Sequence, residues 1–574
     1  GIRMKKRVVT VLVPIVLILI VIAAALGSRI LEKYSYSKNK ADLNEYFNIT
    51  NADDVAMVVQ DSIVEEKARL REGVCYFTLP AVEKYFTDRF YVNSAEQVLL
   101  FTTDTDVVRI SIGEGSNVMY VSDAGQDLGY QAAFYEGDTL YIAGDYVKKY
   151  ANFEYLVHDE PLRVQIYTQW GSYTEATVSK KTALRYQGGI KSDILKELAA
   201  GDSVEILEKM ENWSKVQTTD AFIGYVENKV LKDEHQAERE CSTGFQEIVY
   251  NNVKKDGKIN LAFHQVFDEV GGDSLAAALA PTRAVNVVSP TWFRLSSNSG
   301  DFTSLANQSY VAKAHELGID VWALVTDVDS MDLYGVEIDF VELLSSSANR
   351  RYLIDGLMAQ VDAYGLDGIN IDFEKVRSDS GTHFVQFVRE LSIETRRRGV
   401  ILSVDNYVPS EYTAHYNRKE QGIVADYLII MGYDEHYVGG GAAGSNASIG
   451  FVEGGIVDTK AVVPAEKIIN AVPFYTRVWE SGPDGLKAST LTMNAEADWV
   501  KRTGVTPTWL DEPCQNYAEY QVNDTLYQCW LEDVESIRVK LQVMQSQGIK
   551  GVASWKLGLE VSGVWDVIAD YMAQ

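Results

Sequence analysis

Cysteine is scarce. Four residues, Cys75, Cys241, Cys514 and Cys529, are spread over 574 positions. No C-x-x-C pair occurs and no spacing is that of a zinc site, which excludes a sequence-local metal cluster. Cys514 and Cys529 could bridge a local loop in an oxidising compartment, or remain two thiols in a hairpin. Basic charge is also short, with 53 Lys and Arg against 81 Asp and Glu and a net charge of −28. That balance argues against nucleic acid as a partner, because phosphates demand a basic face. It bears on solubility and says nothing about fold. Core-forming residues, in contrast, are abundant, at 46% hydrophobic and 11% aromatic. The length suffices for several domains of about 100 to 200 residues each.

At the N-terminus a run from Val8 to Leu26 carries no charge, close to the ~20 residues a bilayer helix needs. Arg3, Lys5, Lys6 and Arg7 precede it, a flank that keeps the start inside and sends the rest outside. Residues 1–27 therefore read as an uncleaved membrane anchor. The rival is a signal peptide, for which Ala23-Ala24-Ala25 supplies small residues, although its apolar region is normally roughly 7 to 15 residues. No lipobox-type cysteine follows. Either way the working part is extracytoplasmic.

Residues 28–45 are polar and read as a stalk. From 46 to 168, short runs such as Gln97-Val98-Leu99-Leu100-Phe101 and Val107-Val108-Arg109-Ile110-Ser111-Ile112 alternate with turns such as Glu136-Gly137-Asp138. This β-rich segment, with short helices, loosely resembles the copper-amine-oxidase N-terminal-like domains of surface proteins; it holds no His/Cys cluster, so no copper is implied. Residues 174–233 give four short strands, Thr182-Ala183-Leu184-Arg185, Val204-Glu205-Ile206-Leu207, Trp213-Ser214-Lys215-Val216 and Ile223-Gly224-Tyr225-Val226. Their order and their W-x-K-V and G-Y-V marks resemble a bacterial SH3 domain, modules that commonly bind peptidoglycan stem peptides. A charged linker, Glu234 to Glu240, follows.

From 245 to 574 strands and helices alternate, which predicts a parallel sheet. Eight strand candidates are Ile259–Phe263, Ala284–Ser289, Asp320–Val325, Gly368–Glu374, Val400–Val404, Tyr427–Met431, Ile468–Val472 and Gly551–Trp555. Eight such units predict a (β/α)8 TIM barrel, whose site is built at the C-terminal ends of its strands. The long gap between strands seven and eight predicts an inserted subdomain at about 485–535. The fold expected is thus multidomain: a transmembrane helix, an α+β domain, an SH3-like barrel and the (β/α)8 barrel.

The fourth strand concentrates the chemistry. In Asp367-Gly368-Ile369-Asn370-Ile371-Asp372-Phe373-Glu374, the apolar residues fall on one face of a period-2 pattern and Asn370, Asp372 and Glu374 on the other. Burying such groups costs several kcal/mol unless they are paired or protonated. Two carboxyls about 7 Å apart along a strand can meet, at ~3.3 Å per residue, and like charges that close do not both ionise. Glu374 is then the group held protonated, fit to act as a general acid, with Asp372 its orienter.

This octet resembles the D-G-x-D-x-D-x-E signature of glycoside hydrolase family 18, the chitinase-like enzymes, except that Asn370 stands where the middle aspartate is usual. An amide cannot take up a proton there, which puts the usual proton sharing and the pH optimum in question. Met431-Gly432-Tyr433-Asp434 resembles the family's M-x-Y-D element. The resemblance implies that Tyr433 donates to the substrate acetamido oxygen, that Asp434 bonds a sugar hydroxyl beside Met431, and that Trp555 floors the sugar site. Tyr475, Trp479 and Trp292 are implied as further substrate contacts, Trp292 within a Ser289-Pro290-Thr291-Trp292-Phe293 element similar to the spore-cortex and peptidoglycan-directed branch. It further implies retaining hydrolysis with the substrate's own N-acetyl oxygen as nucleophile, no cofactor and no metal. The partner implied is an N-acetylglucosamine polymer, peptidoglycan first, with chitin or N-glycan as the alternative. A non-catalytic lectin is the reading from another class.

Overall fold

A computed structural model describes residues 2–574, with side chains described from residue 8 onward. The basic side chains expected to flank the anchor, Arg3, Lys5, Lys6 and Arg7, lie outside the described residues. Two compact units form among the described residues: 2–88, Ile110–Tyr120 and Gly125–Glu247 make one, and Arg89–Arg109, Val121–Ala124 and Ile248–Gln574 the other.

In the first unit a helix spans Ile2–Tyr34. Its apolar side chains from Val8 to Leu26 are exposed. Among the described residues it is the one helix long and apolar enough to cross a membrane. It runs past the expected anchor, and the remaining stalk is tied down: Ser37 N–H donates to the Ile190 carbonyl at 2.8 Å and Ala41 N–H to that of Ile194 at 2.9 Å. The SH3-like segment forms a seven-stranded antiparallel sheet from Gly171–Val178 to Leu231–Arg239. Its inward residues Val178, Leu184, Val204, Val216 and Val226 share one core with Phe47, Ala56 and Val58.

The second unit is the barrel. Its strands are β1 (Ile259–His264), β2 (Val287–Pro290), β3 (Asp320–Thr326), β4 (Gly368–Asp372), β5 (Ile401–Tyr407), β6 (Tyr427–Met431), β7 (Ile468–Pro473) and β8 (Gly551–Trp555). All neighbouring pairs are parallel, β8 pairs with β1, and β2 pairs with β3 through Val287 opposite Asp320, which closes the sheet on itself. The period-2 pattern sorts side chains as read: Ile369, Ile371 and Phe373 join the core under the helices. Leu261, Trp322, Leu324, Ile429 and Ala471 fill the interior. Trp322 stacks on Tyr427 at 5.7 Å inside it.

Strand limits differ from the reading in two places that matter. β4 ends at Asp372, two residues before Glu374, and β5 runs on to Tyr407 where Val404 was expected as its end. The insertion begins directly after β7. It is a five-stranded antiparallel sheet from Tyr475 to Trp530 with one helix, Glu496–Thr503. Both of its cysteines are free thiols: Cys529 is buried in the insertion's small core and Cys514 donates to the Asp511 carbonyl at 3.3 Å.

A hairpin of Phe90–Asn93 and Val98–Thr102, read from sequence as part of the segment 46–168, folds with the barrel. It lies on the helix Gly381–Arg398, where Tyr91 Oη meets His383 Nδ1 at 2.6 Å and Gln386 donates to Thr102 Oγ1 at 3.0 Å. Beneath it Glu420 accepts from Arg89 at 3.0 Å and from Arg389 at 2.9 Å, while Arg350 pairs with Glu390 at 2.7 Å.

Candidate active site

The first residue of the octet holds the frame. Asp367, at the N-terminal end of β4, accepts from Val321 N–H at 2.8 Å and from His315 Nε2 at 2.7 Å, fixing β3 and the helix Gln308–Glu316 against it. Three residues on, Asn370 is buried inside the barrel and donates to Ser403 Oγ at 2.8 Å and Asp405 Oδ1 at 2.9 Å. Asp372 follows on the same face and accepts from Thr326 Oγ1 at 3.1 Å.

Asp372 stands between two other carboxyls, hydrogen-bonded to both Glu374 and Asp405. Burial pushes all three upward in pKa. The pulls then diverge. Asp372 receives hydrogen bonds from Glu374, Asp405 and Thr326, all of which favour its anion. After burial, the Asp372 charge and the hydrogen bond to it hold Glu374 well above the usual carboxylate range. Asp405 is held up by burial and by the same charge, with the Asn370 amide pulling the other way. Three carboxyls this close and this buried do not all ionise; hydrogen bonds favour the charge on Asp372, and that charge in turn favours the proton on its neighbours, of which Glu374 lines an opening.

Glu374 lies beyond the strand yet its backbone is fixed from both sides. Asp327 accepts from the N–H groups of Glu374 at 2.8 Å and Lys375 at 3.1 Å. Tyr407 and Tyr416 donate to the Glu374 carbonyl at 2.8 and 3.1 Å. Asp327 itself is pushed up to about 6, by burial first. Such bracing preorganises an acid without the help of a sheet.

After β6 the chain turns sharply at Gly432, whose N–H donates to the carbonyls of Ile430 and Ala471 at 3.0 and 3.2 Å. A Cβ there would lie 2.8 Å from Asn470 Oδ1 and 2.9 Å from the Ala471 oxygen, so only glycine permits the turn that delivers Tyr433. Burial, together with Tyr475, Asp405 and Asp434, keeps the Tyr433 phenol neutral and therefore a donor. Asp434 Oδ1 accepts from Tyr475 Oη at 2.6 Å and from Arg477 at 2.8 Å. Its Oδ2 has no protein hydrogen-bond donor among the described residues, and nearly half of the side chain is exposed. Trp555 ends β8 half-buried, its ring 5.4 Å from that of Phe263.

This disposition, an acid after β4, a tyrosine and an aspartate after β6 and a tryptophan ending β8, coincides with a direct match. Residues 295–560 match the sequence model of glycosyl hydrolases family 18. The barrel is a family 18 domain. Residues 180–232 match the bacterial SH3 domain. The chain is similar to a cortical fragment-lytic enzyme of Bacillus anthracis, 27% identical over 162 residues that cover 27% of this chain and 36% of that one. It is also similar to the uncharacterized glycosylase YvbX of Bacillus subtilis (strain 168), 21% identical over 50% of this chain and 84% of that protein. A crystal structure of the Bacillus cereus spore cortex-lytic enzyme SleL aligns at 18% identity and TM-score 0.48, covering 66% of this chain and 90% of that one. The chain spans 36% to 55% of the length of the cortical fragment-lytic relatives it matches.

Within the family 18 domain, Asn370 bonds Asp405, Asp372 lies between Asp405 and Glu374, and Tyr433 is near enough to feel the charges of Asp405 and Glu374. Met431 lines the interior beside them, largely buried. Two expected substrate contacts are corrected. Trp292 is fully buried and packs edge-on against Tyr310 at 4.9 Å, because the chain turns after β2 and sends the ring under a helix. Trp479 is equally enclosed and donates from Nε1 to the Gly444 carbonyl at 2.9 Å, so it holds a loop and presents no face to a sugar. Asp405, Asp327, Tyr407 and Arg477 were missed. For Asp405 the signal was there, since Ile401, Ser403 and Asp405 continue one face of β5.

Thr326→Val tests the carboxyl arrangement while preserving shape. Removing a hydrogen bond that favours the charged form raises the Asp372 pKa. The acid limb of kcat/KM against pH is expected to move toward neutral, with the basic limb unmoved. A profile superimposable on that of the parent would count against Asp372 as the working anion.

Proposed function

We propose that this chain is a retaining glycosidase that cuts β-1,4 bonds after N-acetylglucosamine in cell-wall peptidoglycan, from a membrane anchor formed by its N-terminal helix. The observation that carries the reading is the placement of Glu374 just past the end of β4, braced at its backbone by Asp327 and Tyr407 and set against the buried Asp372, where burial and the Asp372 charge hold its carboxyl well above the usual carboxylate range. Glu374 donates its proton to the bridging oxygen as the C–O bond breaks and the electron pair leaves with that oxygen. The substrate's acetamido oxygen bonds to the anomeric carbon from the other face, oriented by Asp372 and by the Tyr433 hydroxyl. The Glu374 carboxylate then takes a proton from water as that water opens the oxazolinium, and the enzyme returns to its starting state. Trp555 supplies a ring for the apolar sugar face to stack on.

Peptidoglycan is favoured over chitin by the similarity to cortical fragment-lytic enzymes and by the bacterial SH3 domain in the same chain. The test is product analysis by mass spectrometry on purified sacculi and on chitohexaose, with the anomer first formed read by NMR. Fragments ending in reducing N-acetylglucosamine, released from sacculi as the β-anomer, are expected. Release of fragments ending in reducing muramic acid, or of the α-anomer, would refute the bond assignment or the retention respectively.

A further inference from the structure

We infer that a hollow beside Glu374 receives the sugar on the leaving-group side of the cut bond and recognises a carboxylate on that sugar through Lys375 and Arg377. The inference rests on the glycosidase reading above and adds to it the residues that read the leaving sugar and the charged group they read. The hollow, of about 410 Å³, is continuous with Glu374 and is walled by Tyr407, Tyr416 and Tyr412, with Lys375 and Arg377 on its rim.

Its place in the barrel gives its side of the bond. Trp555 ends β8 and Tyr433 follows β6, whereas the hollow is built from residues beyond β4, from the end of β5 and the segment after it, and from the segment entering the helix Phe340–Leu344. In a closed ring of eight strands β4 and β8 stand opposite each other. Glu374 therefore separates a half floored by tryptophan from the hollow. With the sugar that supplies the acetamido group over Trp555 and the acid at the bridging oxygen, the sugar being released falls in the hollow.

Its lining gives the chemistry. The Tyr412 ring is 80% exposed, a stacking surface with no protein cover. Between Lys375 and Arg377, Val376 is buried while both cations are exposed, so the extended segment turns the two toward the same outward side. Lys375 has no ion-pair partner among the described residues, and Arg377 has only an exposed contact of 3.6 Å with Asp379, of a kind that contributes little. Besides Glu374, the one carboxylate on the lining is Glu337. Two cations beside the acid with little local neutralisation, in a chain of net charge −28, suit an anionic substituent better than a neutral sugar, to which they offer hydrogen bonds without charge pairing. A planar carboxylate is the group an arginine and a lysine hold together. On a wall polymer that carboxylate belongs either to the lactyl group of muramic acid or to its stem peptide.

The test uses the full chain and the ratio of kcat/KM between substrates of equal length. The substrates are oligomers of N-acetylglucosamine alone, oligomers alternating with muramic acid whose lactyl carboxylate is free, and the same oligomers with that carboxylate amidated by a stem peptide. The parent is expected to favour an acidic oligomer, by a ratio that falls as salt is added. In Lys375→Met/Arg377→Met that ratio should drop at least tenfold, and Lys375→Arg should keep it within threefold. A preference confined to the free lactyl oligomer, or to the peptide-bearing one, supports the inference and names the source of the carboxylate. A ratio unmoved in the double variant, with both substrate types still cut, overturns this inference and leaves the glycosidase reading standing. Failure to cut any of the three overturns both.

Discussion

Glu374→Gln is expected to lower kcat on an unactivated N-acetylglucosamine oligomer by at least about 10³-fold, within the range that general acid–base groups supply. Oligomer affinity measured by titration should stay within a few-fold of the parent. The replacement is isosteric and uncharged, and it stands where burial and the Asp372 charge hold the carboxyl well above the usual carboxylate range. The backbone contacts from Asp327, Tyr407 and Tyr416 do not involve the side chain. What disappears is the transferable proton. The loss should therefore shrink on a nitrophenyl glycoside, whose leaving group departs without protonation, in the step that forms the intermediate. Ordinary activity in this variant would remove the acid role. A loss equally large for both leaving groups would point to binding instead.

The second large effect lies far from the cleft. Glu420→Gln is expected to cost about 3 to 5 kcal/mol of stability at pH 7, the usual range for stripping one partner from a buried ion pair. Glu420 is 4% exposed at its side chain and carries Arg389 and Arg89 together. Burial works to raise its pKa, but the two guanidinium groups outweigh burial and bring it below the ordinary value. A folded-state pKa below the unfolded one means that the stabilisation is complete above the unfolded value and is lost as pH falls through the folded one. Urea unfolding of parent and variant should accordingly differ most near neutrality and converge in strong acid. A constant difference across pH would mean that packing, and not charge, is what Glu420 contributes. Because Arg89 leads into the hairpin at Phe90–Asn93, the unfolding midpoint of a chain cut at residue 245 is expected to fall as well.

The parts of this molecule legible in its sequence are those governed by simple periodicity. The barrel strands stood out because each is a short apolar run whose alternate residues serve two different cores. The end of β4 was overextended for the same reason. Phe373 and Glu374 continue the alternation by type, although their backbone is held by Asp327 and two tyrosines and not by a neighbouring strand. Asp405 escaped notice because polarity rises toward the mouth of a barrel, where a strand no longer looks like one. Trp292 and Trp479 show the converse limit: an aromatic residue near a strand end says nothing about which side of the wall its ring takes. Residues 89–109 could not have been allotted to the barrel from local pattern, since what binds them there is a buried set of charges spread over some 330 positions of sequence, from Arg89 to Glu420.

The way the insertion grows out of β7 has a bearing on how this cleft could be altered. Trp479 grips Gly444, and Arg477 binds Asn446, the His436 carbonyl and Asp434 together. The loop after β6 and the first strand of the insertion are thus stitched into one unit that carries Asp434. Grafting a foreign insertion without its matching loop would leave Asp434 adrift, so a change of substrate width here has to be made as a paired exchange of both segments.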